Sequence, residues 1–335
     1  MPGIISRRRL AAAATLTAAP LLSAAAAAGP AAAQTPAPPA YSYVANDNGN
    51  SVTAYARDAN GNATPAATIT GPATGLAGPE GVWVTAGGVF VSNFAGNSLT
   101  RYARRANGNA APAATIAGPA TGLGGPVAVE VAAGTEFVVN FNTNSMTEYP
   151  AAANGDVAPS ATVSGSATGI SEPDGVATDT AGHVFVANSG TNTITEYARG
   201  ASGNAAPIAT IAGPATGLAG PAGIWLDTSG DLFVAEFNDN SVTAYARGAN
   251  GNAAPIADIS GPATGINVPG AVATNTTGRV FVANFGGNTM TEYRPGASGN
   301  TAPVATITGP ATGLAGPAGV WVPLPAWPEK GKGQP

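Results

Sequence analysis

From Tyr43 to Val322 the apolar residues arrive in short bursts of a few positions, broken by glycine, proline and asparagine, rather than in long stripes with helical spacing. One stretch shows the pattern. Gly81-Val-Trp-Val84 is followed by Gly87-Gly88 and then by Val89-Phe-Val-Ser-Asn93, which predicts two strands joined as a hairpin. Ser98-Leu-Thr-Arg-Tyr102 predicts a third strand, and Asn107-Gly108, a dipeptide suited to a turn with positive φ, leads into a fourth at Ala113-Ala-Thr-Ile116. The segment Gly118-Pro-Ala-Thr-Gly-Leu-Gly-Gly-Pro126 then reads as a fixed irregular linker to the next such unit.

The unit recurs. Tyr55, Tyr102, Tyr149, Tyr197, Tyr245 and Tyr293 are spaced by 47 or 48 residues, and Pro65, Pro112, Pro159, Pro207, Pro255 and Pro303 each follow ten residues behind. A self-similar period of this length holding four strands predicts a propeller blade. The ends agree with closure: the repeats begin at a second strand, Tyr43-Val-Ala-Asn46, and stop after a first strand, Gly319-Val-Trp-Val322. The expected fold is therefore an all-β, six-bladed β-propeller of four-stranded blades, closed by pairing a C-terminal innermost strand with N-terminal strands. An open β-solenoid of six turns is the alternative, and it has no need of the split unit.

One repeat also carries a resemblance. Pro173-Asp-Gly-Val-Ala-Thr-Asp179, Thr-Ala-Gly182 and His183-Val-Phe-Val-Ala-Asn188 resemble the NHL repeat over a likeness that extends from Tyr43 to Val322. The chain departs from that pattern in having Asn after the second strand (Asn46, Asn93, Asn140, Asn188, Asn284), Phe for Tyr within it, and an Ala/Asn-rich region around the third and fourth strands. More distantly it is similar to gluconolactonase-like and virginiamycin B lyase-like propellers. The resemblance to such lyases implies several catalytic or metal-binding histidines, whereas this chain has only His183, placed in a hairpin turn. The gluconolactonase likeness implies a divalent cation held by carboxylate and Asn ligands.

Composition narrows the class. The 335 residues are 44% hydrophobic and only 9% charged, enough to bury a core, and the 46 glycines and 29 prolines fit frequent turns. The absence of cysteine excludes a disulfide framework, a zinc–cysteine site, a thiol nucleophile and a lipoprotein anchor. Residues 1–33 read as an export signal: Arg7-Arg8-Arg9 precedes an apolar run from Leu10 to Ala28, with Ala31-Ala32-Ala33 as a small-residue cleavage site. Twin-arginine and general secretory routes both fit it, and an uncleaved anchor is weakened by Pro20 and Pro30. Residues 34–40 read as a Pro-rich linker, 41–323 as the propeller and 324–335 as a C-terminal tail. The expected destination is periplasmic or extracellular, with no stable membrane insertion once the signal is cleaved. The formal net charge is −5, three of the 13 basic residues lie in the leader, and the only lysines are Lys330 and Lys332, which argues against nucleic acid as a partner.

Candidate chemistry follows from topology. In four-stranded blades the loops from fourth to first strand and from second to third emerge on one face, around the central channel. There the residue after the last linker proline is Glu80, Val127, Asp174, Ala222, Gly270 or Ala318, and the second strand ends at Asn46, Asn93, Asn140, Asn188, Glu236 or Asn284. Glu80, Asp174 and Glu236 break the repeat, and together with Asn188 and Asn284 they predict an oxygen-rich ligand site suited to calcium or another divalent cation. The recurring asparagines also fit a plain role, capping strand ends in every blade. Trp83, Trp225 and Trp321 share one first-strand position, held elsewhere by Glu130, Ala177 and Ala273, and are expected to pack between neighbouring blades. Phe94, Phe141, Phe237 and Phe285 follow the second strand, as repeat packing or as an apolar rim. Asp58-Ala-Asn60-Gly-Asn62 fails as a calcium loop, because Ala63 and Ile69 stand where glycine and glutamate are needed, and reads as a hairpin turn.

With no nucleophile elbow, phosphate loop or dinucleotide fingerprint, three functions stay open. The leading one is a non-enzymatic scaffold that binds a protein, peptide or glycan through one face. A metal-dependent hydrolase or lactonase, with a cation on Glu80, Asp174 and Glu236, and a self-associating surface or matrix protein are the others.

Overall fold

A computed structural model describes residues 41–323. The export leader at 1–33, the linker at 34–40 and the tail at 324–335 lie outside the described residues.

The chain opens with β1 (Tyr41–Asn46), β2 (Ser51–Ala56) and β3 (Ala67–Thr70). Five sets of four follow. They are β4 (Pro79–Thr85), β5 (Gly88–Asn93), β6 (Ser98–Tyr102) and β7 (Ala114–Ile116), then β8 (Pro126–Ala132), β9 (Thr135–Asn140), β10 (Ser145–Pro150) and β11 (Ala161–Ser164). Next come β12 (Pro173–Thr178), β13 (Val184–Asn188), β14 (Thr193–Tyr197) and β15 (Ala209–Ile211), then β16 (Pro221–Leu226), β17 (Leu232–Glu236), β18 (Ser241–Tyr245) and β19 (Ala257–Ile259). The last set is β20 (Pro269–Thr274), β21 (Val280–Asn284), β22 (Thr289–Tyr293) and β23 (Ala305–Ile307), and β24 (Pro317–Trp321) ends the series.

These strands form six antiparallel four-stranded sheets, and β24 pairs with β1, so blade 1 is β24-β1-β2-β3 and blades 2 to 6 follow in chain order. The inner strands β24, β4, β8, β12, β16 and β20 touch in sequence around the ring and return to β24. The six-bladed propeller is therefore closed by the split blade, as the repeat arithmetic requires. Closure by the last strand gives β1 a partner on both edges, which would otherwise be left open on its inner side.

Two devices lock each blade to its neighbours. The six repeat tyrosines are fully buried, and each phenol donates to the carbonyl of a linker threonine, as Tyr102 does to Thr74 at 2.6 Å and Tyr245 to Thr216 at 2.6 Å. Burial pushes the Tyr55, Tyr102, Tyr197 and Tyr293 phenols up to about 12, so they stay protonated donors. The second device gives the hairpin turn at 58–62, which joins the antiparallel β2 and β3, a further role. Asn60 Oδ1 accepts the Thr306 N–H at 2.9 Å and Asn62 Oδ1 the Ala311 N–H at 2.7 Å, while Gly61 bridges in parallel to Ile307. The turn around this glycine, Asn-Gly in four blades and Ser-Gly at Gly203 and Gly299, is thus a strap onto the outermost strand of the preceding blade, repeated at Gly108, Gly155, Gly203, Gly251 and Gly299. Its physical basis is a side-chain oxygen, an amide in most blades, the Asp156 carboxylate in blade 3 and the Ser298 hydroxyl at one place in blade 6, that satisfies N–H groups otherwise left at the sheet edge. The strap seats closely: a Cβ on Gly71, whose φ is +123°, would lie 2.6 Å from Asn109 Oδ1.

Candidate functional site

Every inner strand is bulged directly after its linker proline, as between Pro79 and Val82 or Pro173 and Gly175. The bulge re-aims the residue that follows the proline, and this is the position of Glu80 in blade 2 and Asp174 in blade 4, which retain only 6% and 4% exposure. A glycine follows in most blades because neighbouring inner strands approach there: a Cβ on Gly81 would sit 2.8 Å from the Val127 carbonyl oxygen.

One strand outward, the asparagines act as latches. Asn188 donates to Thr195 Oγ1 at 3.0 Å and accepts the Ser171 N–H at 3.1 Å; Asn284 donates to Thr291 Oγ1 at 3.1 Å and accepts the Asn267 N–H at 3.2 Å. Asn46, Asn93 and Asn140 repeat the pattern. Each one ties the end of a second strand to the incoming linker, and all are fully buried. Glu236 takes the same place in blade 5, with Oε1 accepting from the Thr243 hydroxyl and Oε2 from the Ala219 N–H, both at 2.8 Å. Burial pushes its carboxyl up to about 7, against the lowering effect of those two donors. Glu80, Asp174 and Glu236 thus stand in three different blades, and among the described residues they are not gathered into a set of three ligand atoms within 4.8 Å of one another.

The tryptophans meet the expectation and exceed it. Trp83 packs against the core shared by blades 2 and 3 and Trp225 sits in the core shared by blades 5 and 6, and although blades 2 and 5 lie on opposite sides of the ring the two indoles also meet each other at 5.1 Å. Trp321 of blade 1 lies edge-on to Tyr43 at 6.0 Å and packs against the cores shared with blades 6 and 2. Small residues at the same position in blades 4 and 6, Ala177 and Ala273, leave room for the meeting of Trp83 with Trp225. Glu130 holds the position in blade 3 and reaches into blade 4, where its Oε1 accepts from the Thr178 hydroxyl at 2.7 Å. Its Oε2 is buried without a hydrogen-bond partner, and burial pushes the carboxyl up to about 8, which keeps it protonated at neutral pH.

Phe94, Phe141, Phe237 and Phe285 are half-buried on the face formed by the linkers and the second-to-third strand loops. The Phe94 ring lies over Gly125 and meets Phe141 edge-on at 6.2 Å, and Phe285 lies over Gly316. The equivalent residues of blades 1 and 4 are Asp47 and Ser189. The face therefore carries two aromatic arcs, blades 2–3 and 5–6, separated by polar gaps on opposite sides.

On the opposite face, His183 is more than a surface turn residue. Its Nδ1 lies 3.2 Å from Asp179 Oδ2 and 3.1 Å from Glu196 Oε1, and the three side chains are half-buried. Burial raises the Glu196 carboxyl, and the neighbouring His183 lowers it. The i,i+4 spacing of Asp179 and His183 was visible in the sequence. The arrival of Glu196 depends on cross-strand register, in which it faces Phe185.

No protein-family profile matches the chain, and no curated protein matches its sequence. Solved structures share the fold at low identity. A protein of unknown function from Bacteroides caccae is 12% identical with a TM-score of 0.63, over 84% of this chain and 98% of that one. A chain of a nidogen–laminin complex is 15% identical with a TM-score of 0.58, over 84% and 97%. Virginiamycin B lyase from Staphylococcus aureus is 15% identical with a TM-score of 0.50, over 76% and 79%. These likenesses show a propeller fold and nothing finer.

Proposed function

We propose that the protein is an exported, NHL-type propeller that acts as a non-enzymatic scaffold, binding a protein segment, peptide or glycan on the face of the linkers and second-to-third strand loops. The observation that carries this reading is the pair of aromatic arcs, Phe94 with Phe141 and Phe237 with Phe285, left half-exposed on one face. Aromatic faces stack on sugar rings and on peptide side chains with little entropy cost, since each has only two side-chain torsions. The leader at Arg7–Ala33 supports export, and the Pro-x-Gly and Val-Phe-Val-Ala-Asn segments support the NHL resemblance.

The test is binding of the purified protein to glycan and peptide arrays, with a Phe94→Ala/Phe141→Ala variant in parallel. Specific signal on the native protein that falls by about tenfold or more in the variant supports the aromatic face. Equal signal from both, or none from the native protein, removes it.

A further inference from the structure

We infer that Asp179, His183 and Glu196 form a binding site for a divalent transition-metal ion of the zinc class, on the face opposite the aromatic arcs. Two carboxylate oxygens converge on one imidazole nitrogen, at 3.2 and 3.1 Å. Nδ1 carries at most one proton, which makes a directed bond to one of the two oxygens and leaves the other poorly served. A cation shared by all three atoms satisfies them together. Ligand atoms about 2.0–2.2 Å from a tetrahedral zinc stand roughly 3.3–3.6 Å apart, close to the spacings seen here. Two carboxylates and a neutral imidazole also match a dication in charge.

The ligands are held before any ion arrives. Asp179 Oδ1 accepts the N–H groups of Ala181 and His183 at 2.9 and 2.8 Å, which fixes the other oxygen toward the imidazole. The Asp179 N–H donates to the His183 carbonyl at 3.1 Å and closes the turn. Glu196 is fixed by its place in β14, and the half-buried setting leaves further coordination positions to water.

The other blades show what an ordinary version of this corner looks like. In blade 6 the same three places hold Asn275, Arg279 and Glu292: Asn275 Oδ1 accepts the Thr277 and Arg279 N–H groups, and Arg279 pairs with Glu292. That corner supplies its own cation and is balanced. In blade 5 Asp227 and Asp231 remain, but Ala244 removes the third ligand. Only blade 4 sets an acidic turn residue, a histidine and a glutamate together, with an excess of negative charge that one metal ion offsets.

The test is titration of the untagged protein with Zn²⁺, by calorimetry and by competition with a chromogenic chelator. One equivalent is expected to bind with a dissociation constant below about 100 µM and to raise the melting temperature. His183→Ala and Glu196→Gln are each expected to weaken binding by about tenfold or more. Both sites are partly exposed, so the metal-free melting temperature and the circular dichroism should match the native protein. As a gain-of-function check, Asn275→Asp with Arg279→His rebuilds the set around Glu292 and should raise the stoichiometry to two. Absence of saturable binding, binding unchanged in His183→Ala, or a stoichiometry of one in the rebuilt variant overturns the proposal.

Discussion

Trp83 and Trp225 stack at 5.1 Å with their ring planes 35° apart, although their blades face each other across the ring. β4 and β16 are thereby tied across the ring as well as to their neighbours. The Trp225 indole N–H is buried without a hydrogen-bond partner, so the ring contributes shape and apolar area rather than a polar anchor. Trp225→Ala is expected to cost about 3–5 kcal/mol, while Trp225→Phe, which discards the unsatisfied donor, stays within about 1.5 kcal/mol of the native protein. Urea unfolding of both variants checks the difference; equal losses would show that the N–H is served after all.

Glu130 predicts a pH dependence. Its folded carboxyl lies at about 8 against an ordinary 4.5, because burial disfavours the charged form more than Thr178 favours it. Between those values the unfolded chain ionises and the folded one does not, so stability falls as pH rises through the window and levels off above it. Glu130→Gln keeps an acceptor for Thr178 and removes the titration. It is expected to be more stable than the native protein at pH 8, by on the order of 4 kcal/mol, and nearly equal at pH 4.5. Melting curves at the two pH values decide it. Glu236 and Glu136, both raised to about 7 by burial, leave a residual slope of the same sign in the variant.

The Asn straps predict coupled losses. Asn109→Ala removes the acceptor for the Ala73 N–H and should cost about 1 kcal/mol. Gly71→Ala should cost more, because the new Cβ meets the Asn109 side chain and the backbone is left-handed there. In the double variant the two closest atoms of the clash are gone and only the Cβ of residue 109, at 3.0 Å, remains, so the combined loss should be smaller than the sum. Strict additivity in a double-mutant cycle would argue that the strap is not seated as described.

Ring closure rests on β24, which pairs with β1 and packs against β4 and β20. A chain ending at Gly316 loses this strand and exposes the β1 edge. It is expected to lose its cooperative thermal transition and to aggregate with rising concentration, measured by calorimetry and light scattering. A truncated protein that melts like the native one would mean that the straps suffice to close the ring.

The two levels of organisation differ in what a repeat can reveal. Strand positions, blade number and the split blade were legible because they follow from a period carried by Tyr102 and its five equivalents, and from local turn chemistry at residues such as Gly108. The asparagine latches were legible as one of two readings, since a residue present in five of six blades at one register position has the same neighbours in each. The fates of Glu236 and Glu130, and the meeting of Trp83 with Trp225, were not. Glu236 is absorbed into a latch by Thr243 and Ala219, Glu130 is reached by a threonine of the next blade, and Trp83 finds Trp225 across the axis. His183 acquires Glu196 only through strand register. Sequence by itself determined the architecture, because each blade is a local structure repeated and its pattern is written along the chain. The tertiary structure alone decided which side chains from different blades share a site, because those meetings depend on ring curvature, axial distance and register, which bring together residues that no sequence period relates.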